Sequence, residues 1–342
     1  MTKKLFIQAL ERQYTPSVPF WLMRQAGRYL PEYRALRARA GSFLNLCFNP
    51  DMAAAVTLQP IERFDMDAAI LFSDILVVPH ALGQKLSFVE GEGPHLEPLK
   101  KIDEIDFDSF DKKLAPVYET IRLVRKGLAK DKALIGFAGA PWTIACYMVQ
   151  GHGDGEFGAA KKFALDSTAE FDRLIEKLVE ATTHYLIEQI KAGVDAIQIF
   201  DSWAGLLPEP YFGRWAIIPT QNIISNIRKS YPGFPIIGFP RRAGAFYKDY
   251  VEQTGISCIG LDQHYALEKA ICSFGAKVAI QGNLDPVALL SGGKTLEGEV
   301  KRILAAAGKT PFIFNLGHGV IKETPPEHVA RLAQLIKAHH RE

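Results

Sequence analysis

The feature that most limits what this chain can fold into is a set of eight short apolar runs, each breaking off in polar, glycine or proline residues. They are Pro19–Met23, Ala68–Phe72, Leu134–Ala138, Ala196–Phe200, Pro235–Phe239, Cys258–Leu261, Val278–Gln281 and Phe312–Asn315. Continuous apolar runs of this length fit strands buried on both faces, as parallel sheets require. Segments with helical signals lie between them. Asn49-Pro50 and Asp285-Pro286 each pair a capping residue with proline at the first helical position. Asp108–Lys130 carries an apolar stripe at Leu114, Val117, Ile121 and Val124, and Phe171–Ile190 reads the same way. The last helix is expected from Pro325, with Thr324 and Glu327 spaced as a capping box. The alternation predicts an α/β fold. A doubly wound open sheet would show it too, but eight runs in 342 residues favour one (β/α)8 TIM-type barrel domain spanning residues 1–342. One segment, 77–99, breaks the pattern. Pro79, Gly83, Gly91, Gly93, Pro94 and Pro98 surround the alternating stretch Lys85–Val89, which predicts a hairpin excursion.

Composition excludes several classes. Forty basic against 38 acidic residues leave a net charge of +2, so bulk charge gives no reason to expect nucleic-acid binding. No apolar stretch approaches the roughly 20 residues that cross a bilayer, and no signal-peptide core is present. Cys47, Cys146, Cys258 and Cys272 lack metal or redox spacing and read as reduced thiols of a cytoplasmic protein. Dinucleotide, P-loop, GxSxG and HExxH motifs are absent, and neither Lys191 nor Lys322 ends an expected strand. The chain thus carries no cofactor motif.

In a barrel, chemistry gathers at the C-terminal ends of the strands. These ends read Arg24–Arg28, Ser73-Asp74, Gly139–Trp142, Asp201–Trp203, Pro240–Arg242, Asp262–His264, Gly282-Asn283 and Gly317–Gly319. Between Arg24 and Arg39 stand five arginines and no lysine, against Glu32 alone. Guanidinium forks suit carboxylate or phosphate, so these residues either grip a polyanion or solvate a helix face after Pro31. Arg24 and Arg28 flank Gly27 directly behind a run, which favours the first role for them. Asp74 interrupts apolar sequence on both sides and is either a site carboxylate or a buried structural one. His318 lies between glycines that admit close approach by a ligand.

These strand-end segments resemble the uroporphyrinogen decarboxylase family along nearly the whole chain. The resemblance rests on Met23–Arg34 (MRQAGRYLPEYR), Ile70–Pro79, Gly139–Thr143 with Cys146–Met148, Gln198–Ser202, Gln281–Pro286 and Asn315–Gly319. It implies a (β/α)8 barrel, usually a homodimer, that removes carbon dioxide from the four acetate groups of uroporphyrinogen in haem and tetrapyrrole biosynthesis without a cofactor. It further implies substrate contacts from Arg24, Gln25, Ala26, Gly27, Arg28, Asp74, Tyr147, Ser202 and His318. Asp74 and Arg37 would take the catalytic roles. Two segments depart from the family's usual pattern: the charged loop Gly151–Glu156, which includes Asp154, and Pro240-Arg241-Arg242, where Ala-Lys is common. A zinc-dependent corrinoid or thiol methyltransferase of the same barrel superfamily is the alternative, but Cys258 and Cys272 are poorly placed for zinc. A non-catalytic tetrapyrrole carrier would use the arginines without Asp74.

Overall fold

The computed structural model describes residues 4–89, 93–153 and 155–341, so Gly91 and Asp154 lie outside the described residues. Among the described residues nine strands are formed: β1 (Ala68–Ile70), β2 (Leu86–Val89), β3 (Gly93–Leu96), β4 (Ala133–Gly139), β5 (Ala196–Asp201), β6 (Ile236–Pro240), β7 (Cys258–Gly260), β8 (Ala279–Leu284) and β9 (Phe312–Leu316). Seven of them make one curled parallel sheet in the order β1-β4-β5-β6-β7-β8-β9, with helices between consecutive strands. Its registers run from Ala68 opposite Ala133 to Ile280 opposite Phe312.

The first apolar run, Pro19–Met23, is not a strand of this sheet but bridges its two edges. Phe314 N–H donates to Pro19 O (2.9 Å), Trp21 N–H to Phe314 O (3.3 Å) and Asp67 N–H to Phe20 O (3.0 Å). Side chains intercept the remaining ladder positions. Phe20 N–H goes to Asp67 Oδ2 (2.9 Å) and Met23 N–H to Asn315 Oδ1 (3.0 Å), while Pro19 has no N–H to give. The full eight-strand ladder expected from the runs is therefore replaced by seven strands and a bridging segment.

The helices follow their stripes and caps. Pro50–Phe64 starts behind Asn49, whose side chain accepts from Met52 N–H, and Asp285 does the same for Val287 N–H. Phe110–Gly127 buries Leu114, Val117, Ile121 and Val124, and Thr168–Ala192 buries Phe171, Leu178 and Leu186. The last helix departs from expectation. It spans Pro326–Lys337 with Pro325 as its cap, and Thr324 Oγ1 is buried without a partner. Pro325 holds the extended cap conformation itself, which leaves Thr324 one residue too early for a capping box.

Inside the curl, Trp21, Ala68, Ile135, Ala196, Ile237, Cys258, Ala279 and Ile313 form an inner core that Phe6, Ala9 and Leu10 of the helix Leu5–Leu10 join. That helix sits at the N-terminal ends of the strands, where Lys4 pairs with Asp195 just ahead of β5. The floor is thus plugged from below, and the strands' C-terminal ends are left for a site. β2 and β3 pair antiparallel, Leu86 opposite Leu96. The hairpin and the segment after it brace the end of the helix Pro141–Gln150: Leu96 N–H donates to Gly151 O (2.6 Å) and Leu99 N–H to Met148 O (2.8 Å). Among the described residues, no helix is long and apolar enough to cross a membrane.

Candidate active site

The site begins with the turn after Met23. Arg24 adopts φ +61°, a left-handed conformation that costs a non-glycine residue energy and is held here by its neighbours. Gln25 is the clamp. It is fully buried, its Oε1 accepts from Leu22 N–H (3.0 Å), its Nε2 donates to Ala68 O (3.1 Å), and its backbone carbonyl accepts from Tyr29 OH (2.8 Å). The Gln25 amide is therefore occupied in shaping the turn rather than turned to a ligand. Gly27 lets the chain double back, since a Cβ there would come within 2.9 Å of Arg24 O, and Ala26 is half-buried beside it. Arg34, on the helix Pro31–Ala40, donates to Arg28 O (2.8 Å) and Tyr29 O (3.1 Å), so it closes the turn from outside.

Across this turn lies Asp74, in the segment that follows β1. Its Oδ1 accepts Leu76 N–H at 2.8 Å. Asp74 is half-exposed to water yet enclosed by protein, as at the bottom of a cleft, and desolvation raises its pKa against the opposing pull of Leu76 N–H and Arg24. Arg24 is in the same position with the opposite sign. Solvent reaches it, but burial lowers its pKa, Asp74 and Tyr147 hold it up, and Arg28 lowers it. Tyr147 projects from the helix Pro141–Gln150 into this group, its ring edge-on to Phe157 (5.2 Å) and Trp203 (6.3 Å). Burial raises its phenol pKa, and the charges of Asp74 and Arg24 act on it in opposite directions. Ser202 follows β5 and directly precedes Trp203. Arg37 acts electrostatically on Cys47 and Tyr33, whose ionisation it favours, and Asp74 acts on Cys47 in the opposite direction.

His318 completes the ring at the end of β9. Burial, then Arg24, Arg241 and Arg242, push its pKa down to about 3, so the imidazole is neutral at physiological pH. Below the ring, Ile70 and Phe200 are the half-buried members at the top of the inner core, and Phe200 packs edge-on against Phe137 (5.6 Å) and Phe239 (6.0 Å). They give the cleft an apolar floor.

The structure thus brings Arg24, Arg28, Asp74, Tyr147, Ser202 and His318 to one end of the sheet and holds Gln25 behind them. Among the described residues, Arg24, Arg28, Arg37, Arg241 and Arg242 have no ion-pair partner. A cleft with unpaired guanidinium groups, one carboxylate and an apolar floor suits a large amphiphilic polyanion. A separate groove of about 820 Å³ runs between the helices Thr168–Ala192 and Ile218–Ser230; its lining includes none of these residues.

Residues 1–339 match the family model described as uroporphyrinogen decarboxylase (URO-D). The chain belongs to the uroporphyrinogen decarboxylase family. Similar curated proteins, each named uroporphyrinogen decarboxylase, include one from Rhodospirillum rubrum, 49% identical over 340 residues and covering 98% of both chains. Another, from Chelativorans sp., is 49% identical over 339 residues, 98% of this chain and 99% of that one. Among solved structures, a methyltransferase from Methanosarcina mazei aligns over 98% of both chains with a TM-score of 0.83 at 19% identity. A B12-independent methionine synthase from Shewanella sp. W3-18-1 aligns over 96% of this chain and 95% of that one, with a TM-score of 0.52 at 13% identity. These two likenesses concern the fold alone. The chain is accordingly a carboxy-lyase of tetrapyrrole biosynthesis, a uroporphyrinogen decarboxylase whose substrate is a porphyrinogen, and the methyltransferases are its distant neighbours in fold.

Proposed function

We propose that the cleft around Asp74 is where the acetate groups of uroporphyrinogen are converted to methyl groups, giving coproporphyrinogen. The observation that carries this reading is a desolvated carboxylate, Asp74, within electrostatic reach of Arg24, in a cleft whose arginines make no ion pair among the described residues. The substrate has carboxylates around its perimeter and pyrrole N–H groups at its centre. Arg24, Arg28 and Arg37 orient the carboxylates, and Asp74 accepts from the pyrrole N–H groups. Those donors favour the ionised carboxylate and offset the burial that raises its pKa in the free chain.

Protonation of a pyrrole ring at its α-carbon gives a cation. The bond from the acetate methylene to its carboxylate breaks, carbon dioxide leaves, and the electron pair neutralises the ring. A proton then completes the methyl group and the ring proton is returned, so each acetate takes up one proton for each carbon dioxide lost. Asp74 stabilises the cation where water is scarce and a fixed charge has most effect. Tyr147, Ser202 and His318 hydrogen-bond carboxylates at the rim, Ala26 and Gly27 supply backbone beside Arg24, and Gln25 acts by holding the turn. The working form is a cytoplasmic homodimer; sedimentation at micromolar concentration should give twice the chain mass.

The direct test is anaerobic incubation with uroporphyrinogen. Coproporphyrinogen formed by the metal-free protein supports the reading, and no product from folded protein contradicts it. A zinc methyltransferase would need a ligand set, and among the described residues no three His, Cys, Asp or Glu side chains are grouped to hold a metal ion.

A further inference from the structure

Arg241 and Arg242 follow β6, and the backbone holds them firmly. Arg241 N–H donates to Asp201 O (3.0 Å), and Gly205 N–H donates to Arg241 O (3.0 Å), which ties them to the segment bearing Ser202. Arg242 N–H donates to Asp262 Oδ2 (2.6 Å), an oxygen that also accepts from Tyr247 OH (2.7 Å). Arg242 stands at φ +60°, and a Cβ on Gly205 would come within 2.5 Å of Arg242 Cβ, so the turn needs glycine opposite it. A bulky residue held in a left-handed conformation by three neighbouring segments marks a place where position matters more than local comfort.

The place is specific. Counted along the sheet from the bridging segment that carries Arg24, β6 is fourth in either direction: β1, β4, β5, β6 one way and β9, β8, β7, β6 the other. Arg241 and Arg242 therefore face Arg24 and Arg28 across the mouth. The side chains have nothing of their own to hold. Arg241 Nε is buried without a hydrogen-bond partner, and neither guanidinium makes an ion pair among the described residues. Both charges reach His318, and Arg241 also feels Arg24. Burial, Arg242 and Arg24 lower the pKa of Arg241 against the opposing pull of Asp262 and Tyr247, and a polyanion between the two banks would further offset the like charges.

We propose that Arg241 and Arg242 form a second carboxylate-binding bank that holds ring propionates of the porphyrinogen. The proposal rests on the cleft being the decarboxylation site. The choice of propionates follows from the chemistry. Acetates disappear one by one through the reaction, whereas all the propionates persist. A fixed bank remote from Asp74 that serves every step must hold groups that remain at the last one.

The test compares wild type with Arg241→Gln and Arg242→Gln, using uroporphyrinogen and the pentacarboxylate porphyrinogen, which has one acetate left. Each variant should raise KM about tenfold or more, by the same factor for both substrates, with kcat within about twofold. Each should also bind coproporphyrin, which has propionates and no acetates, correspondingly more weakly by fluorescence titration. Arg241→Lys should recover part of the loss, which a merely structural defect would not allow. An unchanged KM in both Gln variants overturns the bank. A penalty on uroporphyrinogen but not on the pentacarboxylate overturns the assignment to propionates. If wild type itself turns over neither substrate, it is the decarboxylation reading that fails, and coproporphyrin binding still decides on the bank.

Discussion

Gly319 packs its backbone against the Arg24 side chain so closely that a Cβ would lie 2.3 Å from Arg24 Cδ and 2.7 Å from Cγ. This contact explains why a glycine follows His318: the space a side chain would need is filled by the aliphatic stem of the site's central arginine. Gly319→Ala should push the guanidinium out of line with Asp74. Because the obstacle is a flexible side chain, folding should tolerate the change, with a melting temperature within a few degrees of wild type. The kcat/KM should fall roughly tenfold or more, since misplacement of one positioning group by about 1 Å has effects of this order or larger. Steady-state kinetics together with thermal melts check both parts.

Arg28 is exposed and makes no side-chain bond to its own chain among the described residues, so its guanidinium is open to a ligand. Arg28→Ala should cost roughly 10–150-fold in kcat/KM, the range for one charge-assisted hydrogen bond. Arg28→Lys should recover only part, because an ammonium lacks the planar fork. A Lys variant as active as wild type would show that charge alone suffices at this position.

Asp201 gives a pH prediction independent of catalysis. It is fully buried, with Oδ1 accepting from Thr143 Oγ1 (2.6 Å) and Oδ2 without a partner, and burial raises its pKa to about 7. Thr143 Oγ1 in turn accepts from Trp203 N–H (3.1 Å), so the pair holds the turn that presents Ser202. A carboxyl whose folded pKa lies above its unfolded value favours folding fully below the unfolded pKa, and that contribution is lost as pH rises through about 7. The melting temperature of Asp201→Asn relative to wild type should therefore climb between about pH 4 and 7 and level off above. A pH-independent difference would mean that Asp201 ionises at its ordinary value.

The parallel strands were legible because their buried residues are consecutive and apolar, and the candidate site could be read from the polar residues that gather at their C-terminal ends. What escaped was settled by side chains that leave their expected roles. Pro19–Met23 reads as a strand, but Asp67 and Asn315 take two of its N–H groups. Gln25 reads as a ligand contact, but its amide is occupied by Leu22 and Ala68. Asp201 sits in the same motif as Ser202 yet points away from the interior. Period-2 alternation carried that signal, since Gln198 meets Gln281 inside the curl and Asp201, three positions on, must face the helices. The ring of charges linking Arg241 and Arg242 to Arg24 and His318 depends on β6 standing across from the bridging segment. That is a property of the assembled sheet, and no local pattern contains it.

In the proposed mechanism the negative charge of Asp74, not merely its shape, stabilises the reaction's cation. Asp74→Asn keeps an oxygen that can accept from Leu76 N–H and from pyrrole N–H groups. It also removes a carboxylate whose burial is unfavourable in the free chain, where the pKa is raised and ionisation opposes folding. The variant should therefore melt no lower than wild type and bind substrate within about tenfold. Single-turnover decarboxylation of bound uroporphyrinogen is the deciding measurement, and its rate should drop roughly 10²–10³-fold, the scale of losing one electrostatic stabiliser. A single-turnover rate near that of wild type, from folded Asp74→Asn with substrate bound, would show that the charge of Asp74 does not stabilise the cation.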